Sequence, residues 1–213
     1  EPKRINKEFY QIQDEYLQEE TKEKGIVDCD ELVPLQDHLY LFQGDITTLK
    51  CDAIVNAANS QMTGCYIPHH RCIDNCIHSY AGMQLRYACH QIMEKQGKKE
   101  ETGKAKITKG YNLPCRYILH TVGPIIYYKV TNKEKEQLAS CYRSCLELAD
   151  AYHLESVAFC CISTGEFHFP KELAAKIAIE TVKEYLKKEA NIKKVIFNVF
   201  KDEDRDIYQR YLR

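Results

Sequence analysis

The chain has 213 residues, with 30 Lys plus Arg against 31 Asp plus Glu, 44% apolar residues, 11 Cys and no Trp. That length suits one domain with an appendage, large enough to bury its own core without a disulfide or a structural metal. The net charge of −1 excludes a general polyanion binder, whose affinity is built on uncompensated Lys and Arg, and no apolar run approaches the roughly 20 residues that span a bilayer. Neither nucleic acid nor membrane is therefore expected as a partner, and a monomer is expected.

The chain opens Glu1-Pro2-Lys3-Arg4 and runs into a charged segment with no apolar stretch of the signal-peptide kind, so a cytoplasmic protein is expected. Eleven cysteines, an odd number, then read as reduced thiols serving as core residues, metal ligands or nucleophiles.

In chain order, Ile5, Phe9, Ile12 and Tyr16 recur at spacings of four, three and four, and predict an amphipathic helix from Pro2 to about Glu20 packed on the domain, a solvated helical tail being the alternative. The acidic stretch through Asp37 reads as a connector, which divides the chain into an extension over 1–37 and a domain over 38–213. Leu39–Phe42 and Ala53–Asn56 read as strands. Ile77, Ala81, Leu85, Ala88 and Ile92 form one helical stripe ended by Gly97. Two strands around Ala105–Tyr111 and Arg116–Val122 precede a helix from about Asn132 to Tyr152, with Leu138, Cys141, Cys145 and Leu148 inward. Val157–Ile162 is a continuous apolar strand of the kind buried on both faces. A helix over Lys171–Lys188, a strand over Val195–Phe200 and a last helix from Asp202 complete the chain. Strands alternating with helices imply an α/β fold with three layers and a largely parallel sheet.

In such a sheet, ligands bind beyond the carboxyl ends of the strands, so the loops after strands carry the chemistry. The first is Gln43-Gly44-Asp45-Ile46, where Gly44 permits close backbone approach and Asp45 offers an acceptor for an amino group; a simple Asx turn is the alternative. The second begins Asn56-Ala57-Ala58-Asn59, with Asn59 able to present donor and acceptor to sugar hydroxyls. It continues through Cys65, His70 and Cys72, two thiols and an imidazole within eight residues of a loop where a core role is implausible. Zn²⁺ prefers such ligands, and three of them with an open fourth position mark a catalytic site. His69, Cys76 and His78 are competing ligands. Asp74 is either the N-cap of the following helix or a carboxylate at the mouth of the site. The third loop, Ser163-Thr164-Gly165-Glu166-Phe167, leads to a helix N-terminus and could cradle a phosphate, although it lacks the lysine and glycine spacing of a Walker motif.

Together and in order, Gly44-Asp45-Ile46, Asp52 to Asn59, the helix start Ile73-Asp74 to His78, His120-Thr121-Val122-Gly123-Pro124 and Ile162-Ser163-Thr164-Gly165 resemble the macrodomain, from about His38 to the C-terminus. The Cys-His-Cys loop stands where hydrolytic members carry a glycine-rich run, and it looks like the zinc-dependent branch of protein ADP-ribosylhydrolases. The N-terminal helical extension and His168, where many macrodomains have glycine, agree with that branch. The resemblance implies a mixed, largely parallel central sheet flanked by helices, ADP-ribose as ligand and product and a mono-ADP-ribosylated protein as substrate. Asp45 would bind the adenine amine beside Gly44, Ile46 would lie against the purine and Phe200 would wall it, unless Phe200 is core. Backbone amides of Ser163, Thr164, Gly165, Glu166 and Phe167 would wrap the diphosphate, Asn59 would hold the distal ribose, and Asp74 matches the carboxylate of the hydrolases. One Zn²⁺ on Cys65, His70 and Cys72 would position a ribose hydroxyl or activate water, the former favoured because two thiolates leave little Lewis acidity. A binding module that reads ADP-ribose, a hydrolase of small ADP-ribose metabolites and a structural zinc domain are the alternatives.

Overall fold

The computed structural model describes residues 2–188 and 190–213. Its helices are α1 (Lys7–Lys24), α2 (Ile73–Ala81), α3 (Met83–Gln96), α4 (Asn132–Ala151), α5 (Lys171–Tyr185) and α6 (Asp202–Tyr211). Its strands are β1 (Val27–Asp28), β2 (Pro34–Gln36), β3 (Leu39–Gln43), β4 (Leu49–Lys50), β5 (Ala53–Ala57), β6 (Ala105–Lys109), β7 (Tyr117–Thr121), β8 (Ser156–Phe159) and β9 (Lys194–Val199). Seven strands form one sheet in the order β2-β3-β9-β8-β5-β7-β6, antiparallel only at its two edges, while β1 and β4 make a separate parallel pair.

The fold class agrees with the pattern in the sequence. The all-buried run Val157-Ala158-Phe159 lies in β8 between β9 and β5, where helices cover both faces. One group, α4, α5 and α6, packs side by side; α1, α2 and α3 form the second. Leu138, Cys141 and Cys145 of α4 enter the core as their spacing predicts, with Leu148 packed half-buried against it. β8 stops at Phe159, so Cys160–Ile162 already belong to the loop beyond the sheet.

Three local expectations are corrected. The predicted stripe of α1 faces water: Phe9, Ile12 and Tyr16 are exposed, Ile12 at 64%, and the helix instead buries Leu17 and Thr21. Polar contacts hold it in place. Gln13 Nε2 donates to Gln84 Oε1 at 2.6 Å, Met83 N donates to Gln13 Oε1 at 3.0 Å, and Asn112 Nδ2 donates to Asp14 Oδ1 at 2.7 Å. A hydrophobic-periodicity argument cannot see a helix seated by amides and a carboxylate. Second, the helical stripe from Ile77 to Ile92 is two helices, broken at Gly82, whose φ of +95° no α-helix tolerates. Third, the supposed connector supplies β1, a 3₁₀ turn over Cys29–Glu31 and the edge strand β2.

Candidate active site

The strands β3, β5, β8 and β9 run parallel, so the loops after them open on one side of the sheet, joined by the loop after β7. Asn56, at the end of β5, is fully buried in an otherwise apolar strand. A buried amide costs free energy unless its hydrogen bonds are made. Here Nδ2 donates to Asp74 Oδ1 at 2.8 Å and lies 3.1 Å from His120 Nδ1, while Oδ1 finds no partner among the described residues. With Nδ1 accepting, the His120 proton sits on Nε2, which faces Thr108 Oγ1 at 2.9 Å. A chain of side chains therefore runs from the core to the carboxylate.

Asp74 stands in the first turn of α2, 5% exposed, and Cys72 rather than Asp74 caps that helix, its Sγ accepting from Asn75 N at 3.4 Å. Burial raises the Asp74 pKa above the ordinary carboxylate value, partly offset by the Asn56 hydrogen bond and the positive charge of Arg86. His78 Nε2 lies 3.6 Å from Asp74 Oδ1, but the contact is not ionic. Burial, His120 and Arg86 drive the His78 pKa down to about 2, and burial drives that of His120 to about 3. His78, Cys89 and His120 bring their donor atoms within 4.8 Å of one another, yet His120 already uses both ring nitrogens and burial holds the Cys89 thiol protonated, with its pKa near 12. This group is a neutral polar seam beneath the carboxylate.

Asn59 does not reach free into the cleft. Its Nδ2 donates to Gly64 O at 3.0 Å and Asp74 Oδ2 at 3.2 Å, and its Oδ1 accepts from Gln61 N at 2.9 Å. It braces the loop and the second carboxylate oxygen, so both Asp74 oxygens are held by amides. Asn56 is the functional residue that loop-based reasoning passes over; its signal is an Asn at a strand position whose neighbours Ile54 and Val55 are wholly buried.

Beyond Asn59 the loop folds back so that Cys65, His70 and Cys72 bring their donor atoms within 4.8 Å of one another, with Cys65 Sγ 3.3 Å from His70 Nδ1. His69 and Cys76 lie outside this group. Burial and the adjacent Cys65 push the Cys72 thiol up to about 11, with the Asn75 amide opposing. Two thiols and one imidazole, half-buried and converging on a common point, make a donor set that fits a zinc-like dication, whose charge would offset the thiolate repulsion. His70 Nε2 faces Glu166 Oε1 at 3.5 Å, so the cysteine loop meets the loop after β8.

That loop turns sharply: Ser163 and His168 have φ of +65° and +56°, and Phe169 N donates to Ser163 O at 2.9 Å. The amides of Gly165, Glu166 and Phe167 make no hydrogen bond among the described residues, which leaves them for an anionic ligand. Phe167 O accepts from Ile126 N at 2.9 Å, tying in the loop after β7. Ser163 Oγ is buried with no partner among the described residues, pressed against Gly123, and Thr164 Oγ1 donates to Cys161 O at 3.0 Å.

At the far end, after β3, Asp45 Oδ1 accepts from Thr47 N at 2.9 Å and Thr47 Oγ1 at 2.6 Å, while Oδ2 accepts from Lys24 Nζ at 3.1 Å. Burial raises the Asp45 pKa, but these hydrogen bonds outweigh it and hold the carboxyl below its ordinary value. Gly44 lies against the Phe42 ring, so a side chain there would have to push that ring aside, its Cβ lying 2.6 Å from the ring edge. Ile46 is turned into the core and offers no side-chain face to a base, whereas Phe200, just past β9, is 74% exposed and free to do so.

A family model for the Macro domain matches residues 55–178. The chain belongs to the Macro domain family. This macrodomain is 51% identical to a Treponema medium protein named protein-ADP-ribose hydrolase, over 99% of this chain and 82% of that one. It is 50% identical to a Staphylococcus aureus protein of the same name, over 96% of this chain and 77% of that one. Among solved structures, the Trypanosoma brucei macrodomain in complex with ADP-ribose superposes with a TM-score of 0.80 at 29% identity, covering 99% of this chain and 92% of the other. A mutant Oceanobacillus iheyensis macrodomain with ADPR gives 0.76 at 38% identity, covering 85% and 95%. The three-layer fold with a mixed sheet is thus the macrodomain fold.

Proposed function

We propose that this macrodomain is a zinc-dependent hydrolase that removes mono-ADP-ribose from modified protein side chains by cleavage at the distal ribose C1″. The observation that carries this reading is the adjacency of a buried, amide-held Asp74 to the converging Cys65, His70 and Cys72 across from three unbonded loop amides. The relatives named protein-ADP-ribose hydrolase, matched over nearly the full chain, support it.

On this reading Gly165, Glu166 and Phe167 bind the diphosphate through their amides, and the exposed ring of Phe200 and the outer oxygen of Asp45 receive the base. Glycosidic cleavage builds positive charge at C1″, and a carboxylate fixed beside it stabilises that charge and orients water. Asn56 and Asn59 hold both Asp74 oxygens, so the carboxylate meets the transition state without reorganising. A zinc ion held by Cys65, His70 and Cys72 would supply a Lewis-acid position for a ribose hydroxyl or water. A pure ADP-ribose reader has no use for such an open donor set.

The test is release of free ADP-ribose from a mono-ADP-ribosylated protein. Release by the wild type, lost in Asp74→Ala, supports the hydrolase; tight ADP-ribose binding with no release by the zinc-loaded protein overturns it in favour of the reader.

A further inference from the structure

Helix α1 falls outside the residues matched by the family model, yet it reaches the site. Its last residue, Lys24, places Nζ 3.1 Å from Asp45 Oδ2 and 3.0 Å from the centroid of the Tyr80 ring of α2. A cation at a helix C-terminus is favoured by the helix dipole. Lys24 lies at the surface, yet only 26% of its side chain is accessible, because its ammonium is held between a carboxylate and an aromatic face. Its partner has no other freedom: Thr47 takes Oδ1 through both backbone and hydroxyl, so Lys24 fixes the remaining oxygen. Lys24 is itself fixed, because Gly25 ends the helix and Gln13 and Asp14 pin its middle to Gln84, Met83 and Asn112.

We infer that Lys24 is a positioning residue of the base subsite: it orients the outer oxygen of Asp45 toward the exocyclic amine of adenine, so the seating of α1 sets nucleotide affinity. This rests on Asp45 being the base acceptor proposed above. A carboxylate oxygen can accept from the ammonium and from an amine together, and the charge-assisted bond keeps it from swinging toward solvent.

The test is calorimetric binding of ADP-ribose and of ribose 5-phosphate, which lacks the base, to the full chain carrying Lys24→Met, Lys24→Arg, Asp45→Ala or Lys24→Met with Asp45→Ala. Lys24→Met is expected to weaken ADP-ribose about tenfold, Lys24→Arg to restore most of it, and neither to change ribose 5-phosphate. The double variant is expected to bind no more weakly than Asp45→Ala, because the lysine acts through the carboxylate. An equal loss for ribose 5-phosphate, or additive losses in the double variant, would make Lys24 a general electrostatic or structural residue and overturn the inference. Unchanged ADP-ribose affinity in Lys24→Met with a loss in Asp45→Ala overturns the inference alone. Unchanged affinity in Asp45→Ala overturns the base subsite as well.

Discussion

Asn56 donates one amide hydrogen to Asp74 and turns the other toward His120, so a residue with no access to solvent sets the orientation of the carboxylate at the mouth of the cleft. A hydrogen bond to a charged group contributes about 1.5–3 kcal/mol. Asn56→Ala is therefore expected to lower kcat by about tenfold to a hundredfold, and to shift the acid limb of the pH–rate profile upward because the bond holds the Asp74 pKa down. ADP-ribose release measured across pH checks both, and an unmoved acid limb would show that the amide does not act on Asp74.

Stability should fall on the acid side earlier than carboxylates alone would cause. His78 and His120 are held neutral in the fold, with pKa values depressed to about 2 and about 3, while in the unfolded chain both take a proton near 6.5. A depressed folded-state value means the unfolded chain binds more protons between the two values, so stability drops as pH falls below about 6.5. At pH 5 each buried imidazole costs about 2 kcal/mol relative to neutral pH. His78, whose ring nitrogens make no hydrogen bond among the described residues, is the one to replace: His78→Phe is expected to remove roughly half of the loss in urea midpoint between pH 7 and pH 5.

Metal content separates the competing ligand sets. Zinc measured by elemental analysis is expected at one per chain in the wild type and in Cys76→Ala, and near zero in Cys65→Ala and Cys72→Ala. Chelation of the wild type should abolish turnover and leave the melting temperature nearly unchanged, since the core is closed without the loop. Full retention in Cys72→Ala, or loss in Cys76→Ala, would assign the ion elsewhere.

Gly123 is where a single methyl should switch off ligand binding. A Cβ there would lie 2.0 Å from Ser163 Oγ and 2.8 Å from Ile162 Cγ2, so Gly123→Ala must displace the loop that carries the free amides. Overpacking of this kind costs about 1–3 kcal/mol. The variant is expected to remain folded by circular dichroism and to bind ADP-ribose at least tenfold more weakly.

Much of this architecture is legible in the residues themselves. The buried strand through Val157 and the inward face of α4 follow from apolar periodicity, because there the core decides the pattern. The convergence of Cys65, His70 and Cys72 follows from donor types that have no place in a surface loop. What periodicity misses is polar. The seat of α1 depends on Gln13 and Asp14, and the orientation of Asp74 on Asn56, none of which leaves a hydrophobic trace. Positions that rest on φ, such as Ser163 and His168, are also silent, since neither residue type announces a left-handed backbone as glycine does.

Gly82 does more than interrupt a helix. A side-chain carbon there would lie 2.7 Å from Gln13 Nε2 and 3.0 Å from Asn112 Nδ2, in the gap where the N-terminal segment meets the domain. The berth of that segment is thus made by a missing methyl group: any larger residue at this position would have to hold a φ of +95° and push the Gln13 and Asn112 amides aside, loosening the anchor of the lysine tether some 16 Å along the helix, at about 1.5 Å per residue.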